Sequence, residues 1–172
     1  INPEIIDLFH SVGIPIYEAY GMTETTAGMT FNNKKNNKTG SIGVTVPGTE
    51  VRVASDGELQ FKGDNIMKGY YNNPEANSEV FDGEWLKTGD VGRVDEQGYV
   101  YITGRKKEIY VLSNGKNVAP LVIEETMKSI SLVSQFFLVG DSRNYCTGLV
   151  TLDGGAILRD KLGMNPDDVP KD

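Results

Sequence analysis

Short strand patterns separated by glycine turns fill residues 40–104, and this spacing restricts the fold more than any other feature of the sequence. Glu50 to Ala54 alternates between polar and apolar residues, Ser55-Asp56-Gly57 turns the chain, and Glu58 to Phe61 returns as a second strand. Further elements are predicted as strands at 84–89, 92–94 and 99–103, a turn at 95–98, and a short helix opening at Asn73-Pro74-Glu75. The pattern predicts a small β-rich subdomain.

The segment before this region predicts a helix followed by a strand and a polar loop. Asn2-Pro3 can cap and begin the helix, and Gly13 ends it. Gly13 to Ala19 is predicted to be a buried strand, with Tyr20-Gly21-Met22-Thr23-Glu24 as the loop at its C-terminal end, where ligand sites are common in open α/β sheets. The polar run 32–38 predicts a solvated loop tip, with phosphate binding by its lysines as the less favoured alternative.

After Gly104 the sequence predicts helices as well as strands. A strand is predicted at 108–112, a hairpin turn at 113–116, an amphipathic helix from Pro120, strands at 134–139 and 148–152, and a helix at 156–162. The fold class is therefore mixed α/β, with the end of a large domain at residues 1–106. Residues 107–172 are predicted to be a hinge and the first part of a small α+β domain.

Composition excludes several classes of protein. The net charge of −7 argues against binding of nucleic acid through a basic surface. The single cysteine, Cys146, permits no internal disulfide, and the single histidine, His10, permits no site with two histidine ligands. No apolar run approaches the ~20 residues that span a bilayer, and no secretory leader is visible. We expect a cytoplasmic protein, with peripheral contact at the inner face of the membrane left open, and a chain that is part of a longer protein.

Three polar segments carry side chains suited to a nucleotide. Tyr20 offers an aromatic face for a base, Thr23 a hydroxyl for a phosphate, and Glu24 an oxygen ligand for Mg²⁺, while Gly21 permits close backbone approach. Asp90 has two oxygens that can accept from vicinal ribose hydroxyls; the alternative is a turn residue that bonds its own backbone. Arg105 offers a planar fork of donors, against the alternative of a solvated basic turn.

Taken together and in this order, the segments resemble the adenylate-forming superfamily of acyl-CoA synthetases, luciferases and peptide-synthetase adenylation domains. The resemblance covers nearly the whole chain and rests on Tyr20 to Glu24, Gly40 to Gly43 with Val46 to Gly48, Gly57 to Leu59 through Gly63, Gly69 to Pro74, Leu86 to Gly92, Asp95 with Gly98-Tyr99, and Gly104 to Glu108 with Gly115 to Val118 and Glu124. Within the superfamily, residues 18–25 and 113–120 are most similar to bacterial long-chain fatty-acid CoA ligases.

The resemblance implies ATP, Mg²⁺ and CoA as cofactor and co-substrates of a fatty-acid ligase. A carboxylate attacks the α-phosphorus of ATP to give acyl-AMP and pyrophosphate, and the thiol of CoA then displaces AMP. Tyr20 would stack on adenine, and Gly21 would also lie at the nucleotide. Thr23 would bond the α-phosphate, Glu24 would hold the Mg²⁺, and Asp90 with Arg105 would contact the ribose. Lys107 takes the hinge position, about which the small domain rotates between the two steps, and Gly115 would lie on the CoA side.

Two features expected of this superfamily are not found in the sequence, namely a Ser/Thr/Gly-rich phosphate loop and a late catalytic lysine. We therefore expect the chain alone not to form acyl-AMP. The alternatives are an enzyme that loads a carrier protein or activates an aryl or amino acid, and a non-catalytic nucleotide-binding or interaction module. A dehydrogenase is excluded, because no Gly-x-Gly-x-x-Gly follows a strand. The oligomeric state is left unassigned.

Overall fold

The structure is a computed structural model that describes residues 3–161, 163 and 165, and its chain divides into two compact units at Lys107 and Glu108. The first unit is β-rich, as the glycine spacing predicts. Its helices and strands are α1 (Pro3–Ser11), β1 (Ala19–Met22), β2 (Ala27–Phe31), β3 (Val44–Thr45), β4 (Thr49–Val53), β5 (Glu58–Gly63), α2 (Pro74–Val80), β6 (Phe81–Asp82), β7 (Trp85–Val94) and β8 (Val100–Arg105). Short 3₁₀ turns cover Thr23–Thr25 and Lys106–Glu108.

Two antiparallel sheets build the first unit. One has three strands in the order β1-β2-β3. The other has the order β4-β5-β7-β6, and β8 also pairs with β7. Met29 from the first sheet packs with Leu59, Phe61 and Val100 from the second, and all four are fully buried. This shared core fixes the two sheets, and therefore the segments that begin and end their strands, against each other.

The predicted strand at 13–19 is wrong. β1 begins only at Ala19, and the residues before it form an irregular, largely exposed segment. The N–H of Ile14 donates to the carbonyl of Phe9 at 2.9 Å, and the N–H of Ile16 donates to the His10 ring at 3.0 Å. Because the C-terminal end of α1 takes these backbone groups, they do not join a sheet. The run from Tyr20 correspondingly lies within β1 and the 3₁₀ turn after it.

The other predictions for the first unit need smaller corrections. The strands predicted at 84–89 and 92–94 form one strand, β7, which stays continuous through Gly89 because this glycine adopts a φ of 72°. The helix predicted at Asn73-Pro74 is confirmed, and the Asn73 side chain accepts from the N–H of Ala76. The polar loop is exposed at residues 33–37 as predicted, whereas Lys38 is half-buried and its Nζ lies 2.6 Å from Asp95.

The second unit contains β9 (Tyr110–Val111), β10 (Asn117–Val118), α3 (Pro120–Lys128), β11 (Val133–Val139), β12 (Thr147–Leu152) and α4 (Gly154–Ala156), which continues as a wider helical turn over Ile157–Lys161. The hairpin turn at 113–116, the helix from Pro120 and the two following strands are confirmed. The strand predicted at 108–112 shortens to two residues, because Lys106–Glu108 forms a 3₁₀ turn. Asn2 and Leu162, at the ends of two predicted helices, lie outside the described residues.

Candidate functional site

Tyr20 and Asp90 meet where β1 approaches β7. The Tyr20 hydroxyl donates a hydrogen bond to Oδ2 of Asp90, and the Tyr20 ring packs against Phe61 with a centroid separation of 6.1 Å. Burial, together with the neighbouring Asp90 carboxylate, raises the pKa of the Tyr20 phenol far above its ordinary value. Tyr20 therefore remains a neutral hydrogen-bond donor throughout the physiological range, with its ring held in one orientation.

Arg105 completes this group from the neighbouring strand. Asp90 on β7 and Arg105 on β8 are direct partners in the strand register, and Arg105 Nε lies 3.1 Å from Oδ1 of Asp90. The Asp90 side chain is only 6% exposed, whereas that of Arg105 is 66% exposed. The Asp90 carboxylate thus contacts two donors from different strands rather than its own backbone, so the alternative of a turn residue is wrong. The structure brings together Tyr20, Asp90 and Arg105.

A second polar contact connects the turn after β1 to the loop before α2. Glu24 lies in the 3₁₀ turn, and the Tyr70 hydroxyl donates to its Oε1 at 2.7 Å. The N–H of Met67 donates to the Glu24 carbonyl at 2.7 Å, so the backbone is tied as well. Tyr70 is held in turn by Asn77 of α2, whose Oδ1 accepts from the Tyr70 N–H at 2.6 Å. Sequence reasoning quoted Tyr70 in a motif and gave it no role.

The residues beside Glu24 suit an Mg²⁺ ion that a nucleotide helps to bind. Mg²⁺ is usually held by one or two carboxylates together with substrate phosphates and water. Tyr70 engages only one of the two Glu24 oxygens, and Thr23 is exposed at the adjacent position. Among the described residues there is no cluster of three or more metal-ligating side chains, so a site made only of protein ligands is not offered there. Glu24 and Thr23 therefore fit a metal ion that binds together with the phosphates of a nucleotide.

Gly21 is required by the packing of β1. A Cβ atom at this position would lie 1.5 Å from the carbonyl oxygen of Ala27 on β2. The register of the two strands also shifts between Tyr20 and Gly21. The close backbone approach that the sequence predicts is thus made by the neighbouring strand, and contact of Gly21 with a nucleotide remains a prediction.

A cavity of about 370 Å³ opens beside Arg105. Four of its lining residues are cations: Lys87, Arg105, Lys106 and Lys107. The others are Met22, Glu58, Glu79, Val80, Thr88 and Gly89. Within the part of the chain that the structure describes, the side chains of Lys87 and Lys107 form neither an ion pair nor a hydrogen bond. The cavity therefore offers an anionic ligand two lysine charges without an ion-pair partner, beside the carboxylate of Glu79.

Glu58 and Lys106, also in this cavity, lie in two of the motifs that carry the family resemblance, but the sequence assigned them no role. Glu58 begins β5 and has a side chain only 4% exposed, and Lys106 Nζ lies 2.9 Å from its Oε2. The contact between them joins the first residue of β5 to a residue 48 positions later, which no local pattern indicates. Gly115 lies in the β9–β10 hairpin of the second unit, where its φ of 79° permits the turn. Its role on the CoA side remains a prediction.

Comparison with known proteins identifies the family of this chain. Residues 1–71 match the AMP-binding enzyme family, and residues 107–162 match the AMP-binding enzyme C-terminal domain. The chain is similar to the long-chain-fatty-acid–CoA ligase FadD15 of Mycobacterium bovis, with 44% identity over 84% of this chain and 24% of that protein. It is also similar to the long-chain-fatty-acid–CoA ligase ACSBG1 of Rattus norvegicus, with 37% identity over 92% of this chain and 22% of that protein.

A solved structure shows the same fold. The O-succinylbenzoate coenzyme A synthetase MenE of Bacillus subtilis, in complex with ATP and magnesium ion, has a TM-score of 0.76 and 27% identity, over 97% of this chain and 39% of that chain. This is the fold of adenylate-forming enzymes. The chain belongs to the AMP-binding enzyme family, and it spans about a quarter of the length of the curated relatives it matches.

Proposed function

We propose that this chain is a segment of an ATP-dependent long-chain fatty-acid CoA ligase. The observation that carries the proposal is the contact of Tyr20 and Arg105 with the buried carboxylate of Asp90, because it joins the three polar segments into one surface. The fatty-acid substrate is inferred from the long-chain fatty-acid CoA ligases to which the chain is up to 44% identical. An aryl-acid or carrier-loading enzyme of the same family is the alternative, since upstream residues would shape the acyl pocket.

The nucleotide contacts follow from the chemistry of each residue. Tyr20 would stack on adenine with a ring that Phe61 and the hydrogen bond to Asp90 hold in place. Asp90 would accept from the ribose hydroxyls through lone pairs that Tyr20 and Arg105 leave unused, with Arg105 assisting from the exposed side. Thr23 would donate to the α-phosphate. In this arrangement the base and sugar are fixed before the reacting phosphate is approached.

The reaction would proceed in two displacements. A carboxylate oxygen of the fatty acid bonds to the α-phosphorus, and the bond from that phosphorus to the pyrophosphate oxygen breaks. The sulfur of CoA then bonds to the acyl carbon, and the bond to the AMP oxygen breaks. When bound at Glu24, Mg²⁺ would neutralise charge on the phosphate oxygens. Lys107 would be the hinge between the two steps, and Gly115 would lie beside CoA.

The lining of the 370 Å³ cavity, with four cationic and two acidic residues among ten, is consistent with phosphate-bearing substrates. Within the described residues, no helix is long and apolar enough to cross a membrane. We propose a cytoplasmic enzyme that uses ATP, Mg²⁺ and CoA, with peripheral contact at the inner face of the membrane left open.

The assignment of the ribose to Asp90 is tested by pairing a substitution with a nucleotide analogue in the longer protein that contains this segment. Because a hydrogen bond to a charged group contributes ~1.5–3 kcal/mol, the wild type should bind ATP roughly 10- to 100-fold more tightly than 3′-deoxy-ATP. Asp90→Asn should reduce this preference to a few-fold. Asp82→Asn changes an exposed carboxylate on β6, paired with Arg52, and should leave the preference intact. An undiminished preference in Asp90→Asn refutes the assignment.

Acyl specificity needs its own measurement. ATP–pyrophosphate exchange in the longer protein should depend on palmitate and respond far less to benzoate or amino acids. Exchange that depends on an aryl or amino acid would favour the alternative enzyme. The absence of exchange with any carboxylate, despite retained ATP binding, would favour a non-catalytic nucleotide-binding module.

A further inference from the structure

Glu58 is a buried carboxylate that uses both oxygens on partners from other parts of the first unit. Its Oε1 accepts a hydrogen bond from the N–H of Gly89 at 2.8 Å, and its Oε2 accepts from Lys106 Nζ at 2.9 Å. Burial of a carboxylate is strongly unfavourable unless the charge is paired and hydrogen-bonded. The structure therefore depends on both contacts at once.

Lys106 is also held by a second carboxylate. Oδ2 of Asp56 lies 2.6 Å from Lys106 Nζ, and Oδ1 of Asp56 accepts from the N–H of Glu58 at 3.1 Å. Lys106 is therefore held by two carboxylates, Asp56 in the turn before β5 and Glu58 at the first position of β5. The hydrogen bond to Asp56, followed by that to Glu58, raises the pKa of Lys106, and the same contact with Lys106 lowers the pKa of Asp56.

The partners of Glu58 are direct neighbours of residues in the proposed site. Gly89 precedes Asp90, and Lys106 lies between Arg105 and Lys107. A shift of Glu58 would consequently displace the Asp90–Arg105 pair and the beginning of the hinge together. None of the matched motif roles accounts for a lysine at this position bound to the start of β5.

We propose that Glu58 is a positioning residue, which fixes Asp90 and Arg105 through Gly89 and Lys106 and anchors the chain at Lys106, so that backbone rearrangement begins at Lys107. The proposal rests on the functions proposed above for Asp90, Arg105 and Lys107. The anchor itself, by contrast, is a property of the first unit and can be tested in the present chain without a nucleotide.

The first experiment is limited trypsin digestion of the 172-residue chain, with cleavage sites quantified by mass spectrometry. Asp56→Asn and Glu58→Gln leave the cleavable sequence 105–107 unchanged while each weakens one contact to Lys106. Loss of a charged hydrogen-bond partner predicts about tenfold faster cleavage within 105–107 for Glu58→Gln and about threefold for Asp56→Asn. Cleavage after Lys116, in the second unit, serves as the internal reference, and Glu50→Gln on β4 serves as the matched control.

The outcomes separate a local anchor from a general effect on stability. Faster cleavage confined to 105–107 supports the anchor. If Glu58→Gln unfolds the whole first unit, cleavage also rises at Lys62 and Lys87. The result for Asp56→Asn then decides whether the anchor exists, because this variant replaces a side chain that is 47% exposed. Unchanged cleavage at 105–107 in Asp56→Asn, or an equal change in Glu50→Gln, overturns the proposal.

The second experiment measures kinetics in the longer protein. Glu58→Gln and Lys106→Met should raise the KM for ATP about tenfold and should slow thioester formation more than adenylation, while Lys106→Arg, which keeps the charge, should restore both. A failed proteolysis experiment refutes the anchor whatever the enzyme does. Confirmed anchoring with no ATP-dependent reaction instead refutes the proposed function, so the two failures are distinguishable.

Discussion

The hydroxyl of Tyr20 donates a hydrogen bond to the carboxylate of Asp90, 70 residues further along the chain. Tyr20 belongs to the three-stranded sheet and Asp90 to the five-stranded sheet, so this bond crosses between the two sheets of the first unit. The ring that is proposed to bind adenine and the carboxylate that is proposed to bind ribose are thus in direct contact. A nucleotide would meet a surface whose two parts are already oriented relative to each other.

This bond should stabilise the first unit measurably. Tyr20→Phe removes the hydroxyl and leaves the buried Asp90 carboxylate with one donor fewer, which should lower the free energy of unfolding by about 1–2 kcal/mol. Trp85, the single tryptophan, lies on β7 and reports unfolding of this unit by its fluorescence in a urea titration. Tyr17→Phe, at a residue that is 39% exposed, should change the result little. Equal effects of the two substitutions would show that the Tyr20 hydroxyl contributes nothing particular.

Local signals in the sequence predicted much of the fold. The Ser55-Asp56-Gly57 turn between β4 and β5, the cap at Asn73 and the start of α3 at Pro120 all depend on residues within a few positions of one another. The strand prediction before Ala19 was wrong because the apolar pattern of 13–18 resembles a strand, whereas hydrogen bonds to the end of α1 determine the backbone conformation there. Apolar periodicity alone does not reveal such contacts.

The individual residues of the candidate site could be predicted from the sequence, whereas the contacts that support them could not. Tyr20, Asp90 and Arg105 each have a chemistry that suits a nucleotide, and their order in the chain matches a family. The contacts of Glu58 with Gly89 and Lys106 span 31 and 48 residues, and that of Tyr70 with Glu24 spans 46. No local pattern pairs residues so far apart, so these supporting residues emerged only from the structure.

Gly21 and Gly28 provide a matched test of packing between β1 and β2. A Cβ at Gly21 would meet the backbone of Ala27, whereas a Cβ at Gly28 would meet the ring of Phe31, a side chain that is 42% exposed and can turn away. Overpacking costs typically ~1–3 kcal/mol and more where backbone must move, so Gly21→Ala should be clearly the more destabilising. Urea titrations followed by Trp85 fluorescence measure both. An equal or larger loss in Gly28→Ala would contradict the assigned packing.

Tyr70 should influence the metal affinity of the longer protein if Glu24 is the Mg²⁺ ligand. Hydrogen-bonding partners of a ligating carboxylate fix its orientation, and their removal typically weakens metal binding by ~10–100-fold. Tyr70→Phe should therefore bind Mn²⁺, used as a paramagnetic substitute, about tenfold more weakly in the presence of ATP, as measured by electron paramagnetic resonance. Tyr71→Phe alters an adjacent ring that is 93% exposed and should leave binding unchanged. Unaltered Mn²⁺ affinity in Tyr70→Phe would separate Tyr70 from the metal.

The ion pair of Lys38 with Asp95 predicts a defined response to acid. The contact with Lys38, aided by backbone donors at Tyr99 and Gln97, lowers the pKa of Asp95 from 3.8 to about 2. A carboxyl whose pKa is lower in the folded state contributes stability above its unfolded pKa, and this contribution is lost as the pH falls through the folded pKa. Asp95→Asn retains an oxygen for the backbone donors and removes only the charge. The stability difference between wild type and Asp95→Asn should thus be constant above about pH 4 and should shrink towards pH 2, as measured by urea titration at each pH.

In a ¹³C carboxyl titration Asp95 should titrate near pH 2, and Glu96→Gln, in the same turn, should not alter that midpoint. A midpoint near 3.8 would mean that Lys38 does not hold Asp95 in solution, and the polar loop that ends at Lys38 would then be free of the β7–β8 turn.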